Sequence, residues 1–274
     1  MIHVYGLPEL VEPTALRGGT AIVIDVLRAT TTMISAIHAG AQCVVPFLEV
    51  DETLKFKQKL IAGEDPRFPQ PISETDILLG GERLGKRIDG FDLGNSPQEY
   101  TSDRVAGKTI LFSTTNGTKA IHRAALADAI LPAGFLNAGA IVEHVSNCES
   151  INILCAGTNG QFTEEDIYLA GLLVERIQRA TRNRFQLNAQ AIAAQATWHQ
   201  LFEKTPVTQK NLAPHLYRSR GGQNLQKIGL LSDIDWAANI DTIPLVVEID
   251  PKKMIANNNF VVQKRKITTM DKSL

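Results

Sequence analysis

Asp25 ends the apolar run TAIVID (20–25), three residues before Arg28, with Thr30, Thr31 and Thr32 following. A carboxylate closing a buried strand is held by the sheet while its side chain reaches the crevice beyond, where a metal ligand or a nucleophile is useful. The plainer reading is an acid that caps the next turn. Arg28 can grip a phosphate with two N–H groups or merely cover the sheet edge with its stem. A second acid, Glu82, lies in GGERLGKR (80–87), which nearly matches the phosphate loop GxxxxGK[ST]. Arg87 stands in the hydroxyl position and no helix can follow, so a nucleotide loop is not expected there. Glu82 amid Arg83, Lys86 and Arg87 still suits a metal ligand among anion-binding cations, against the ordinary solvated loop. Glu164, Glu165 and Asp166 follow Thr163, and Thr163 with Asp166 fits a capping box. Cys155 ends an apolar run with no histidine tied to it, which favours a buried thiol over a nucleophile.

Two further stretches, TTNGT (114–118) and GTNG (157–160), each follow an apolar run. Small, turn-forming residues at a helix start expose backbone N–H groups and a partial positive charge, and they let an anion approach closely. SRGG (219–222) joins a cation to a turn, as an anion clamp needs and as many plain loops do.

These residues require a scaffold, and the apolar runs supply one. Residues 20–26 read as a strand, Thr30 or Thr31 as the cap of a helix ending near Gly40, and 43–47 as the strand completing a βαβ unit. The pattern recurs with a strand at 109–113, a helix at 117–127 and a strand at 129–135, and begins again at 151–156 before an amphipathic helix through Leu169, Leu172 and Ile177. Such alternation predicts an α/β fold: a mostly parallel sheet of repeated βα(β) units with helices packed on it, as one large domain or two closely joined lobes. Ligands bind beyond the carboxyl ends of such strands, so the junctions at 25–32, 113–118 and 156–166 should face one crevice. Residues 63–106 look like a long excursion and 206–222 like a basic loop. A helix at 188–204, a late strand in IPLVVEID and a polar tail complete the chain.

Composition narrows the partners. The chain has 274 residues, 44% hydrophobic, with 28 Lys plus Arg against 29 Asp plus Glu. Such a chain can bury a large core, and no block of like charge suggests nucleic acid or a membrane surface. No apolar run approaches the roughly 18 residues of a membrane helix, and no leader pattern is evident, so a cytoplasmic protein is expected. Cys43, Cys148 and Cys155 are odd in number and lack CxxC spacing, against a disulfide framework or a thiolate zinc site. The residues alone point to an enzyme acting on a small anionic metabolite, without selecting the reaction.

The ordered set IDVLRATTTMISAIHAGA, LLGGER, GFDLGNSPQEY, STTNGTKAI, EDIYLAG and SRGGQNL resembles the 2-phosphosulfolactate phosphatase (ComB) family over about residues 1–250. The resemblance implies a single domain spanning 1–274, with 251–274 as a tail. It also implies magnesium-dependent hydrolysis of 2-phospho-3-sulfolactate to 3-sulfolactate and phosphate, a step linked in some members to coenzyme M synthesis. Carried over motif by motif, it gives Asp25, Arg28, Glu165 and Asp166 as catalytic. It gives Thr30, Thr31, Asn95, Thr114, Thr115, Asn116, Gly117, Thr118, Ser219, Arg220 and Gly221 as substrate-binding. Mg2+ would rest on Asp25 and Glu82, with Asp166 or Asp92 as a third ligand. The partner is a small anionic substrate, and a homo-oligomer is left open. Metal-activated water is favoured over Asp25 as covalent nucleophile, because Leu27 occupies the place of the second aspartate in a DxD pair. Two rivals remain: a lyase or transferase on a similar acid, and a non-catalytic anion-binding protein.

Overall fold

Strand β2 (Thr20–Ile24) shows how the layers form, because its successive side chains point to opposite faces. Ile22 and Ile24 enter one apolar cluster, Ala21 and Val23 another, and all four are fully buried. Burial of each isoleucine contributes about 1.5–3 kcal/mol. A strand with both faces covered belongs in the middle of a layered α/β structure.

The computed structural model describes residues 1–202, 206–249, 251 and 261–265. In chain order they form β1 (Ile2–Tyr5), β2, α1 (Ala29–His38), β3 (Cys43–Phe47), α2 (Val50–Ala62), β4 (Ile77–Arg83), β5 (Lys86–Arg87), α3 (Ser102–Val105), β6 (Thr109–Ser113) and α4 (Asn116–Arg123). There follow β7 (Ala129–Ala133), α5 (Ala138–Val145), β8 (Ile151–Cys155), α6 (Glu164–Ala180), α7 (Ala189–Phe202), α8 (Gln209–Arg218), α9 (Arg220–Lys227), α10 (Leu231–Ala237), β9 (Val247–Ile249) and β10 (Val262–Lys264). The protein is α/β with one mostly parallel sheet, ordered β1-β8-β2-β7-β9-β10-β3-β6-β4-β5.

The sheet has two parallel sets. One is β1-β8-β2-β7 and the other β3-β6-β4, joined through β9 and β10 by antiparallel pairings. The expected βαβ neighbours are therefore not neighbours. β2 leads through α1 to β3, and β6 through α4 to β7, so each connection crosses from one set to the other. Periodicity identifies a strand but says nothing of which strand it pairs with. The crossing helices share one apolar layer, where Met33 and Ile34 of α1 and Ile121 of α4 pack with Val23 of one set and Ile110 and Phe112 of the other.

Two expectations about the connections are corrected. Residues 63–106 contain β4, whose glycines hid it: Gly81 has φ +141°, and a Cβ there would meet the Ser113 backbone. Residues 206–222 are mostly helical rather than a loop, holding α8 and the start of α9. The strand expected in IPLVVEID is β9, while most of the polar tail lies outside the described residues. Among the described residues no helix is long and apolar enough to cross a membrane.

Candidate active site

The two crossovers and the β8–α6 junction meet at one cavity of about 430 Å³. Asp25 and Arg28 line it from the first junction, Thr114, Thr115 and Asn116 from the second, and Thr158 and Asn159 from the third. Glu82 and Asn95 enter from the β4 region, and Gly221 from α9. The two similar stretches touch, since Asn159 N donates to Asn116 Oδ1 at 3.1 Å.

Asp25 sits where the starts of α1 and α4 converge. Its Oδ1 accepts from Ala29 N at 3.1 Å, and the Gly117 amide bonds the same carboxylate. The loop's amide thus meets a protein carboxylate, and the glycine is required for space: a Cβ on Gly117 would stand 2.7 Å from Ala29 Cβ and 3.0 Å from Asp25 Oδ2. Burial pushes the Asp25 carboxyl up to about 7; the Ala29 amide opposes this, and the Glu82 and Glu165 charges add to it.

The threonines after Asp25 act through the backbone. Thr30 Oγ1 accepts from Asp25 N at 3.0 Å and donates to Ala133 O at 2.7 Å, while Thr31 Oγ1 donates to Val26 O at 2.8 Å. Neither caps α1, whose first residue is Ala29. Thr32 Oγ1 donates to Asn95 O at 3.0 Å, tying the 90–95 loop to α1. Thr114 and Thr118 pair their hydroxyls at 3.0 Å inside the turn.

Arg28 is buried. Its Nη1 lies 2.7 Å from Asp233 Oδ2 on α10, and its Nη2 donates to Gly85 O at 2.7 Å. Ser96 Oγ donates to the other Asp233 oxygen at 2.5 Å. Asp233 was missed from sequence: it lies 205 residues from Arg28, and only its place among the apolar residues of α10 hinted at burial. Arg83 is similarly committed, bonding Ser113 O and Oγ, Glu82 O and Leu48 O, which locks the end of β4 to that of β6.

The acids opening α6 divide their roles. Thr163 makes no side-chain cap; Asp166 instead accepts from Val26 N at 2.9 Å and Gly157 N at 3.0 Å, clamping the first and third junctions together. Both of its oxygens accept backbone amides, and it stands outside the cavity lining. Burial first, then the Glu165 and Asp25 charges, push its carboxyl well up. Glu165 is also buried and raised, chiefly by burial, and its Oε2 has no partner among the described residues. Gly221 packs directly on Glu165, and Gly222 on the end of α8. Ser219 caps α9 by accepting from Gly222 N at 3.3 Å, so SRGG is a close-packed helix start rather than a flexible clamp. Arg220 is exposed and outside the cavity lining, its amide donating to Glu164 Oε2 at 2.9 Å. Asp92 also stands outside that lining, exposed, its carboxylate receiving Leu79 N at 2.8 Å. Cys155 is fully buried, and burial raises its thiol.

Among the described residues, no group of three or more His, Cys, Asp or Glu side chains is arranged to hold a metal ion. The donor chemistry still fits a hard divalent cation. Asp25 is buried and feels both Glu82 and Glu165, and among the described residues none of the three is ion-paired. Magnesium keeps several waters and takes one or two carboxylates together with phosphate oxygens, so an open carboxylate set suffices.

A family profile and several known proteins match this chain over most of its length. A probable 2-phosphosulfolactate phosphatase of Symbiobacterium thermophilum is 39% identical over 232 residues, 84% of this chain and 91% of its own. One from Thermotoga petrophila is 37% identical over 231 residues, 83% and 89% of the two chains. One from Gloeobacter violaceus is 36% identical over 250 residues, 88% and 92%. With the 2-phosphosulpholactate phosphatase profile matching residues 5–252, the chain belongs to that family.

Proposed function

We propose that the protein is a magnesium-dependent phosphatase that hydrolyses 2-phospho-3-sulfolactate to 3-sulfolactate and inorganic phosphate. The observation that carries the reading is the meeting of Asp25, Glu82 and the start of α4 in one cavity. The names of the relatives agree with it. A lyase or transferase would use similar anion contacts, but no feature of the cavity favours it.

In this reading the phosphoryl group lies at the mouth of the 114–116 turn. Two Arg28 N–H groups serve Asp233 and Gly85, leaving others of its five for phosphoryl oxygens. Asp25 and Glu82 would hold the magnesium ion, which when bound supplies neutralising charge to those oxygens. Asp92 and Asp166 stand outside the cavity lining, and this reading leaves them out of the ligand set. Water attacks phosphorus in line, the P–O ester bond breaks, and the lactate oxygen leaves with a proton. Glu165 lies behind Gly221 of the lining rather than in it, and with its buried carboxyl raised and its Oε2 free it would supply that proton in this reading. Cytoplasmic placement belongs to the same proposal and accords with three free cysteines.

The test is phosphate release from a panel of phosphorylated hydroxy acids, with magnesium and with excess chelator. Release from 2-phospho-3-sulfolactate in magnesium alone is expected. Full activity in chelator would remove the metal, and a new carbonyl or alkene in place of phosphate would move the enzyme to the lyases.

A further inference from the structure

Three cations line the cavity, Arg28, Arg83 and Lys227, and they are not equally available. Arg28 is held by Asp233 and the Gly85 carbonyl. Arg83 is spent on the backbone of β4, β6 and Leu48. Lys227, near the end of α9, is exposed and has neither an ion pair nor a hydrogen bond among the described residues. An unpaired ammonium on the wall of a cavity that also gathers carboxylates is the place for a second negative group of the ligand.

The course of α9 sets where that ammonium stands. Gly221 in its first turn packs on Glu165 and Leu27, at the Asp25 end of the cavity. Ile228, just past its last residue, stands against Gly85, whose amide donates to Glu82 Oε2 at 2.7 Å and whose carbonyl accepts from Arg28. Six residues of helix separate Gly221 from Lys227, about 9 Å along the axis. Helical side chains lean toward the N-terminus, so the Lys227 side chain runs back along the α9 wall of the cavity. With the phosphoryl group among Asp25, Glu82 and the 114–116 turn, Lys227 is, among the described lining residues, the one unpaired cation left for the second anion of a three-carbon substrate. Asn224, one turn earlier on α9, also lines the cavity and adds an amide donor. A compact ammonium with three rotatable donors suits the three-oxygen tetrahedral face of a sulfonate, without the planar fork an arginine would impose.

We propose that Lys227 is a specificity-determining residue that binds the sulfonate of the substrate. The inference rests on the phosphatase reading and goes beyond it by assigning the second anion to a residue outside every motif considered above. The experiment compares kcat/KM for 2-phospho-3-sulfolactate with that for 2-phospholactate, which lacks the sulfonate, in wild type, Lys227→Gln and Lys227→Arg. The ratio of the two values should fall by about tenfold or more in Lys227→Gln, mainly through KM, the size expected for a charge-assisted hydrogen bond. Lys227→Arg should recover part of it. Equal losses on both substrates, or none on either, would overturn the assignment. Calorimetric binding of the product 3-sulfolactate keeps the two claims apart. A wild type that releases no phosphate but binds 3-sulfolactate in a Lys227-dependent way would sink the phosphatase reading alone. Binding that is absent or insensitive to Lys227→Gln would sink the subsite.

Discussion

At the scale of the residue, Asp25 concentrates the chemistry and its cost. Its carboxyl is raised to about 7 from an ordinary value of 3.8, so between those values the folded protein holds a proton that the unfolded chain releases. Stability therefore falls as pH rises across that window and levels off above it. In chelator, Asp25→Asn should melt progressively higher than wild type from pH 5 to 8, and magnesium should restore the wild type. Parallel melting curves would refute the burial argument. The same substitution should lower turnover on the order of 10²-fold or more, because it removes a charge that meets the reacting group. Gly117 offers a second test. Gly117→Ala places a Cβ 2.7 Å from Ala29 Cβ, and such overpacking costs about 1–3 kcal/mol in urea unfolding. Because Asp25 must shift too, turnover should drop in the protein that remains folded. A bland helix start would leave kinetics unchanged.

At the scale of the element, α10 supports the site without lining the cavity. Its Asp233 is buried, pairs with Arg28 and receives Ser96. Removing one partner leaves a buried charge unpaired, so Asp233→Ala should lower the unfolding free energy by about 3–5 kcal/mol. Replacing the pair by apolar residues, Arg28→Met with Asp233→Leu, should recover much of that stability while turnover stays lost. Equilibrium unfolding beside phosphate-release kinetics checks both. Full stability in Asp233→Ala would show the ion pair to be incidental. Helix α6 plays a comparable part, since Asp166 ties the Val26 and Gly157 amides together while Glu165 beside it keeps an oxygen free.

At the scale of the whole molecule, the two parallel sets share a seam, β9 and β10, and a common apolar layer with α1 and α4. Val247, Ile249 and Val262 are fully buried in that seam, and Val262 pairs with Ile249 across the β9–β10 register. Because the cavity draws residues from both sets, weakening the seam should disable both together. Val247→Asp should cost about 3–5 kcal/mol, as an unpaired buried charge does, and should lower the midpoint for ellipticity and activity equally. A variant that lost activity in one transition and ellipticity in a later one would show the sets to be independent.

The sequence by itself determined the strands and the chemistry at their ends. Apolar runs closing in Asp25, in TTNGT and in GTNG are local patterns, and local patterning fixes which residues reach a strand's carboxyl end. It thereby placed all three junctions on one crevice. Tertiary structure alone decided strand neighbours, because β3 and β7 obey the same periodicity wherever they pair. It decided that β4 is a strand despite its glycines, since Gly81 answers to the Ser113 backbone rather than to propensity. It also separated the acids. Asp25, Asp92, Glu165 and Asp166 are chemically alike as letters, yet one meets two helix starts, one braces β4 from outside the cavity, one keeps a free buried oxygen, and one clamps two loops. Those roles come from burial and from amides supplied by segments far along the chain, and a linear pattern carries neither.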